Sequence, residues 1–126
     1  MDIDGKHKVL YALYTEYQKD IPDMNSVTFS VLDMEAIAFN IALEKLENEG
    51  FINGAIFSRA MGQKYPINVV MHRIMLTRFG VEYVEEKLKV ERSGTGKEKV
   101  KWLVQKFGEF GWETLKAYTI SKLTGM

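Results

Sequence analysis

At 126 residues, with no net charge, 46% hydrophobic and 27% charged side chains, the chain has the makeup of an ordinary globular protein with room for one compact domain plus an accessory element. The absence of cysteine excludes disulfides and thiolate metal sites. No signal-peptide pattern opens the chain and no apolar run approaches the roughly 18 residues of a membrane span, so the expectation is a cytoplasmic protein without a membrane partner.

A first helix is predicted over 6–19, where Val9, Leu10, Leu13, Tyr14 and Tyr17 recur at three- and four-residue spacing and form one apolar stripe, with Asp4 as its cap. Residues 27–31 alternate like a short strand, and the stretch 20–33 has room for that strand and a short or irregular second helix. A third helix is expected over 34–49, capped by Asp33 and ended by Gly50. Ile37, Phe39, Ala42, Leu43 and Leu46 form its buried face, extended by Ala36, Ala38 and Ile41.

Two β-like runs follow, over 51–58 and 67–75, around a tip at 59–65. Asn53-Gly54 comes too early in the first run to be a hairpin turn, which predicts a bulge or twist there. Thr77 caps a fourth helix over 78–89, and Gly80 in its first turn predicts close backbone packing. Residues 90–96 read as a linker. The capping box Thr95-x-x-Glu98 then opens a C-terminal helical extension over 97–126, interrupted at Gly108 and Gly111, with a last helix over 112–123. This order predicts an α+β winged helix over 1–89, with a small antiparallel sheet and the C-terminal extension.

The segment Glu49-Gly50-Phe51-Ile52-x-Gly54, preceded by Phe39, Ala42 and Leu46 and followed by Leu76-Thr77-x-x-Gly80-x-x-Tyr83, resembles the YjcQ family, small proteins of Gram-positive bacteria and their phages and prophages. The resemblance covers residues 6–89. It implies four helices and a small three-stranded sheet, and it carries over structural positions only, not functional residues.

Charge is unevenly spread: residues 1–49 hold 4 basic and 10 acidic side chains, residues 87–126 hold 9 and 4, and no acid falls between Gly50 and Val81. This suits an anionic partner, or two halves of opposite charge that attract each other. For nucleic acid, the expected contacts are Arg59, Lys64, Tyr65, His72, Arg73 and Arg78 on the wing, assisted by Lys97, Lys99, Lys101 and Lys106 in the tail. The third helix argues against ordinary major-groove docking. It sets Glu35, Glu44, Glu47 and Glu49 against Lys45 alone, with Asp33 ahead of them, and Asn40 and Lys45 are its only base readers. The other reading is a protein-interaction module. Phe107, Phe110, Trp112 and Tyr118 then either line a dimer or partner interface or pack back on the first helix.

Chemistry is sparse. Ser93-Gly94-Thr95-Gly96-Lys97 resembles the end of a phosphate loop, but Glu91 stands where its first glycine belongs and Glu98 where its hydroxyl belongs. Asp2-x-Asp4-Gly5 lacks the rest of a calcium loop. His7 and His72 are isolated, and His72 is expected on a strand. No cofactor and no enzymatic activity are expected.

Overall fold

The computed structural model describes residues 2–126 and is organised around its first helix, α1 (Gly5–Tyr17). Asp4 caps this helix by accepting a hydrogen bond from the His7 N–H at 2.8 Å. The sequence suggests a single stripe, yet every residue from Val9 to Glu16 is buried, Thr15 and Glu16 included. A helix buried all round is a central pillar, and α1 packs against α2 (Ala36–Asn48), α3 (Arg78–Lys87) and α5 (Glu113–Thr124).

No strand forms at 27–31. A single 3-10 turn spans Met24–Ser26, and turns carry the chain to Met34, whose N–H donates to Phe29 O at 2.9 Å. Met24, Val27 and Leu32 are buried while Phe29 and Val31 stay half exposed, so the alternation does not map onto one buried face. Nor is Asp33 the cap of α2. It takes a left-handed conformation, φ 53°, and Glu35 occupies the cap position without a side-chain bond. Phe39, Ala42, Leu43 and Leu46 are buried as expected, but Ala36, Ile37 and Ala38 face outward.

The β segment is one long antiparallel hairpin broken in the middle. β1 (Ile52–Asn53) pairs with β4 (Met75–Leu76), and β2 (Ile56–Ser58) pairs with β3 (Asn68–Val70). The register changes between the halves: Asn53 faces Met75 but Ile56 faces Val70, so residues 71–74 oppose only 54–55. The surplus forms a turn closed by Ile74 N–H donating to Met71 O at 3.0 Å, with His72 and Arg73 at its apex. Gly54 makes this turn possible. It has φ +88°, and a Cβ there would lie 2.0 Å from Arg73 O. The expected twist at Asn53-Gly54 is therefore a bulge, and His72 sits on a turn rather than on a strand.

Thr77 caps α3, accepting from Gly80 N–H at 3.0 Å and donating to Gly50 O at 2.6 Å. A Cβ on Gly80 would lie 2.2 Å from Phe51 O, a backbone atom with little freedom to move. Glycine to alanine inside a helix normally gains up to about 1 kcal/mol of helix propensity. Here Gly80→Ala is expected to lose about 1–3 kcal/mol through overpacking, read as a lower denaturant midpoint. A stabilised variant would show that the contact gives way.

After α3, the Thr95–Glu98 capping box opens α4 (Gly96–Phe110), which runs through Gly108 uninterrupted before the chain turns into α5. One hydrophobic cluster joins Val9, Leu10, Leu13 and Tyr14 of α1 to Leu43, Leu46, Ile52, Ile74 and Val84, and to Leu103, Phe107, Leu115 and Tyr118 of the last two helices. Residues 97–126 thus share the core of residues 1–89.

Candidate nucleic-acid interface

The hairpin does not stand clear of α2. Asn40, Glu44 and Glu47, spaced four and three residues apart, lie on one face of that helix and all reach toward the hairpin. Asn40 Nδ2 donates to Pro66 O at 3.2 Å, Glu47 accepts from the Ala55 N–H at 3.1 Å, and Glu44 pairs with Arg59. Glu49 at the end of α2 takes Lys6 at 2.9 Å. Three of the acids that weigh against α2 in sequence are therefore engaged inside the chain, and so is Asn40, one of its two base readers.

The expected phosphate contacts divide accordingly. Arg59 is held by Glu44 and donates from Nε to Lys64 O at 3.1 Å, so it braces the hairpin stem. Arg78 pairs with Glu82 at 3.1 Å on an open surface, an interaction of at most about 1 kcal/mol. Lys64, His72 and Arg73 are exposed and have no ion pair among the described residues. Lys64 lies at the tip with its ammonium 5.4 Å from the centre of the half-exposed Tyr65 ring. The lysines of the C-terminal segment are split too. Lys99 pairs with buried Glu85 at 2.9 Å and Lys106 with Glu109 at 3.8 Å, while Lys97 and Lys101 are exposed with no ion pair among the described residues.

The aromatics proposed for an interface lie in or against the chain's own core. Phe107 is fully buried, and Tyr118 is buried with its hydroxyl donating to Ala12 O at 3.1 Å. Burial raises the Tyr118 phenol far above its ordinary range. Trp112 is partly buried and stacks on Tyr11, ring centres 5.9 Å apart, with Phe110 against it at 4.7 Å. The alternative in which this cluster packs back on the first helix is the one found, so Phe107 and Tyr118 are not presented to a partner.

Several arrangements have no counterpart in the sequence reading. Asp4 accepts from His7 Nδ1 at 2.9 Å, and His7 Nε2 lies 2.6 Å from the Tyr83 hydroxyl, a relay that ties the start of α1 to α3 beside a shallow hollow of about 310 Å³. Partial burial pushes the Asp4 carboxyl up, but the His7 hydrogen bonds and the Lys6 charge outweigh it and hold it below its ordinary value. In the same region burial pushes the Tyr11 phenol up to about 12. Two buried carboxylates fasten the C-terminal helices. Glu85 accepts from Tyr14 at 2.8 Å and Lys99 at 2.9 Å, and Glu16 faces Lys122 at 2.9 Å and Lys19 at 3.6 Å.

Among the described residues no group of three or more His, Cys, Asp or Glu side chains could hold a metal ion, and no helix is long and apolar enough to cross a membrane. Residues 95–97 form a helix cap in which a Cβ on Gly96 would meet Gln18 O at 2.2 Å, so the phosphate-loop likeness reduces to helix packing. Comparison of the chain with protein-family models, with curated proteins and with solved structures gives no match.

Proposed function

We propose that this chain is a winged-helix-type protein of the YjcQ-like group found in Gram-positive bacteria and their phages and prophages. In this reading it is cytoplasmic and non-enzymatic, and it acts in regulation by binding double-stranded nucleic acid through its hairpin. The observation that carries the reading is the run from Gly50 to Val81. It contains no carboxylate and holds Lys64 at the tip and His72 and Arg73 on the bulge, all exposed and without an ion pair among the described residues. A surface of one sign facing outward is what a polyanion recognises. Because Asn40 and Glu44 are occupied with the hairpin, α2 contributes little base reading, and weak sequence preference follows.

The salt dependence of binding counts these contacts. Each phosphate neutralised on duplex DNA contributes about 0.9 to the slope of log affinity against log salt. Lys64→Ala with Arg73→Ala is expected to flatten that slope by about 2, whereas Arg59→Ala, whose guanidinium is spent on Glu44, leaves it nearly unchanged and lowers stability instead. A double variant with the wild-type slope would remove the hairpin from the contact. The competing reading, a protein-interaction module, rests on Phe29, Val31 and Ile37, which stay 44%, 45% and 40% exposed around the start of α2. Under that reading Ile37→Asp abolishes partner capture and the salt slope is absent.

A further inference from the structure

The hairpin is apolar as well as basic. Of the large hydrophobic side chains that remain exposed, Ile56, Met61, Tyr65 and Ile67 all belong to it, at 54%, 102%, 43% and 57%. Isolated exposed hydrophobics are ordinary on any surface, but a cluster on one projecting element is not. Met61 is the extreme case. It occupies the apex of the tip turn, in which Gln63 N–H donates to Ala60 O at 3.0 Å and Gly62 takes φ +80°. The stem beneath is braced to α2 through Arg59–Glu44, Asn40–Pro66 and Glu47–Ala55. A rigid stem therefore holds out a flexible, unbranched thioether with cations behind it.

We propose that Met61 is a wedge that enters a base step of duplex nucleic acid while Lys64 and the His72–Arg73 bulge hold the backbone. The inference rests on the nucleic-acid reading above and names how that site engages its ligand. Proteins that lay a β-ribbon along a groove use an apolar side chain in this way, unstacking a step at a cost of a few kcal/mol and kinking the duplex. The spacing of the cations favours a duplex over an anionic membrane, which could also attract an apolar, basic tip. Between tip and bulge the chain runs from Tyr65 through β3 to Val70, a span of at most roughly 16 Å at about 3.3 Å per residue. A membrane met tip-first would leave His72 and Arg73 up to about two Debye lengths from its charge at physiological salt. A duplex carries a charge every ~1.7 Å of its axis and meets cations at both ends of a hairpin laid along it.

The test uses the full chain and a duplex carrying 2-aminopurine, with donor and acceptor dyes at its ends. Binding of the wild type should raise 2-aminopurine fluorescence and shorten the end-to-end distance. Met61→Ala should lose both signals while keeping affinity within a few-fold, since the phosphate contacts remain, and Met61→Leu should retain them. Wild-type binding with neither unstacking nor bending would overturn the wedge and leave the nucleic-acid reading standing. No binding to the duplex would overturn both, and binding instead to vesicles of phosphatidylserine and phosphatidylcholine would assign the tip to a membrane surface.

Discussion

Deleting residues 97–126 is expected to leave a chain that does not fold. Val100, Leu103, Phe107, Leu115 and Tyr118 are all buried, and the last four belong to the cluster built on α1. At about 1.5–3 kcal/mol for each large apolar side chain taken out of water, these five contribute on the order of 10 kcal/mol. That matches the whole net stability of a typical domain, about 5–15 kcal/mol. The loss is larger than the sum suggests, because α1 is buried all round and removing α5 exposes one of its sides to water. Circular dichroism of the truncated chain should show no cooperative melt. A smaller species that melts cooperatively would mean that α4 and α5 are an appendage and that Phe107 and Tyr118 are available to a partner after all.

The second large effect concerns Glu16. Its carboxylate is fully buried; Oε2 accepts from the Asp23 N–H at 2.7 Å, while Oε1 has no hydrogen bond of good geometry and depends on the charges of Lys122 and Lys19. Lys122 is itself tied down, donating to Ser26 Oγ at 2.6 Å. Lys122→Ala strands a buried charge, a change that typically costs 3–5 kcal/mol; with Lys19 still at 3.6 Å the lower end applies, about 3 kcal/mol. For a chain of this size that lowers the melting temperature by roughly 10 °C. Glu16→Gln combined with Lys122→Met removes both charges and should recover a large part of the loss, which separates a stranded charge from lost packing.

The pH dependence of stability has a definite sign. Burial pushes the Glu16 carboxyl up, but the Asp23 N–H and the lysine charges outweigh it, so its folded-state value lies below the ordinary 4.5. A carboxyl depressed in the folded state contributes stability that is present above about pH 4.5 and is lost as pH falls through the folded-state value. Glu16→Gln should therefore lose less stability on acidification through that window than the wild type does. Identical acid limbs would mean that Glu16 is not what fails there.

Much of the architecture was legible because its signals are local. The Thr77 and Thr95 caps each need only a hydroxyl and an N–H three residues on. Gly80 in a helical first turn announces a close approach without saying to what, and the partner is Phe51 O. The apparent strand at 27–31 failed for a non-local reason: alternation supplies a face, but a strand also needs an edge to pair with, and Val27 alone of its three apolar residues finds the core. The bulge was half legible. Gly54 marked its position, but the surplus lies on the other strand, at 71–74, where nothing in the residues distinguishes a turn from a strand.

Charge was the least legible feature of the candidate site. Counting charges along the chain treats each as free, whereas folding pairs Glu44 with Arg59, Glu49 with Lys6, Glu85 with Lys99 and Glu16 with Lys122. One buried pair, Glu16–Lys122, ties the acidic residues 1–49 to the basic residues 87–126. Among the described residues the exposed cations left without an ion pair include Lys64 and Arg73 on the hairpin, Lys97 and Lys101 on α4, and Lys45, Lys87 and Lys89 elsewhere, with His72 beside Arg73. The His7–Tyr83 contact joins residues 76 apart and could be read only from the folded chain.

Titrating this chain into a labelled random duplex, from low to physiological salt, decides whether the hairpin binds nucleic acid. The expected result is micromolar or tighter binding at physiological salt, with log affinity falling linearly in log salt at a slope that counts the phosphates contacted. No binding even at low salt would contradict that reading and leave the exposed residues around the start of α2 as the surface through which the chain acts.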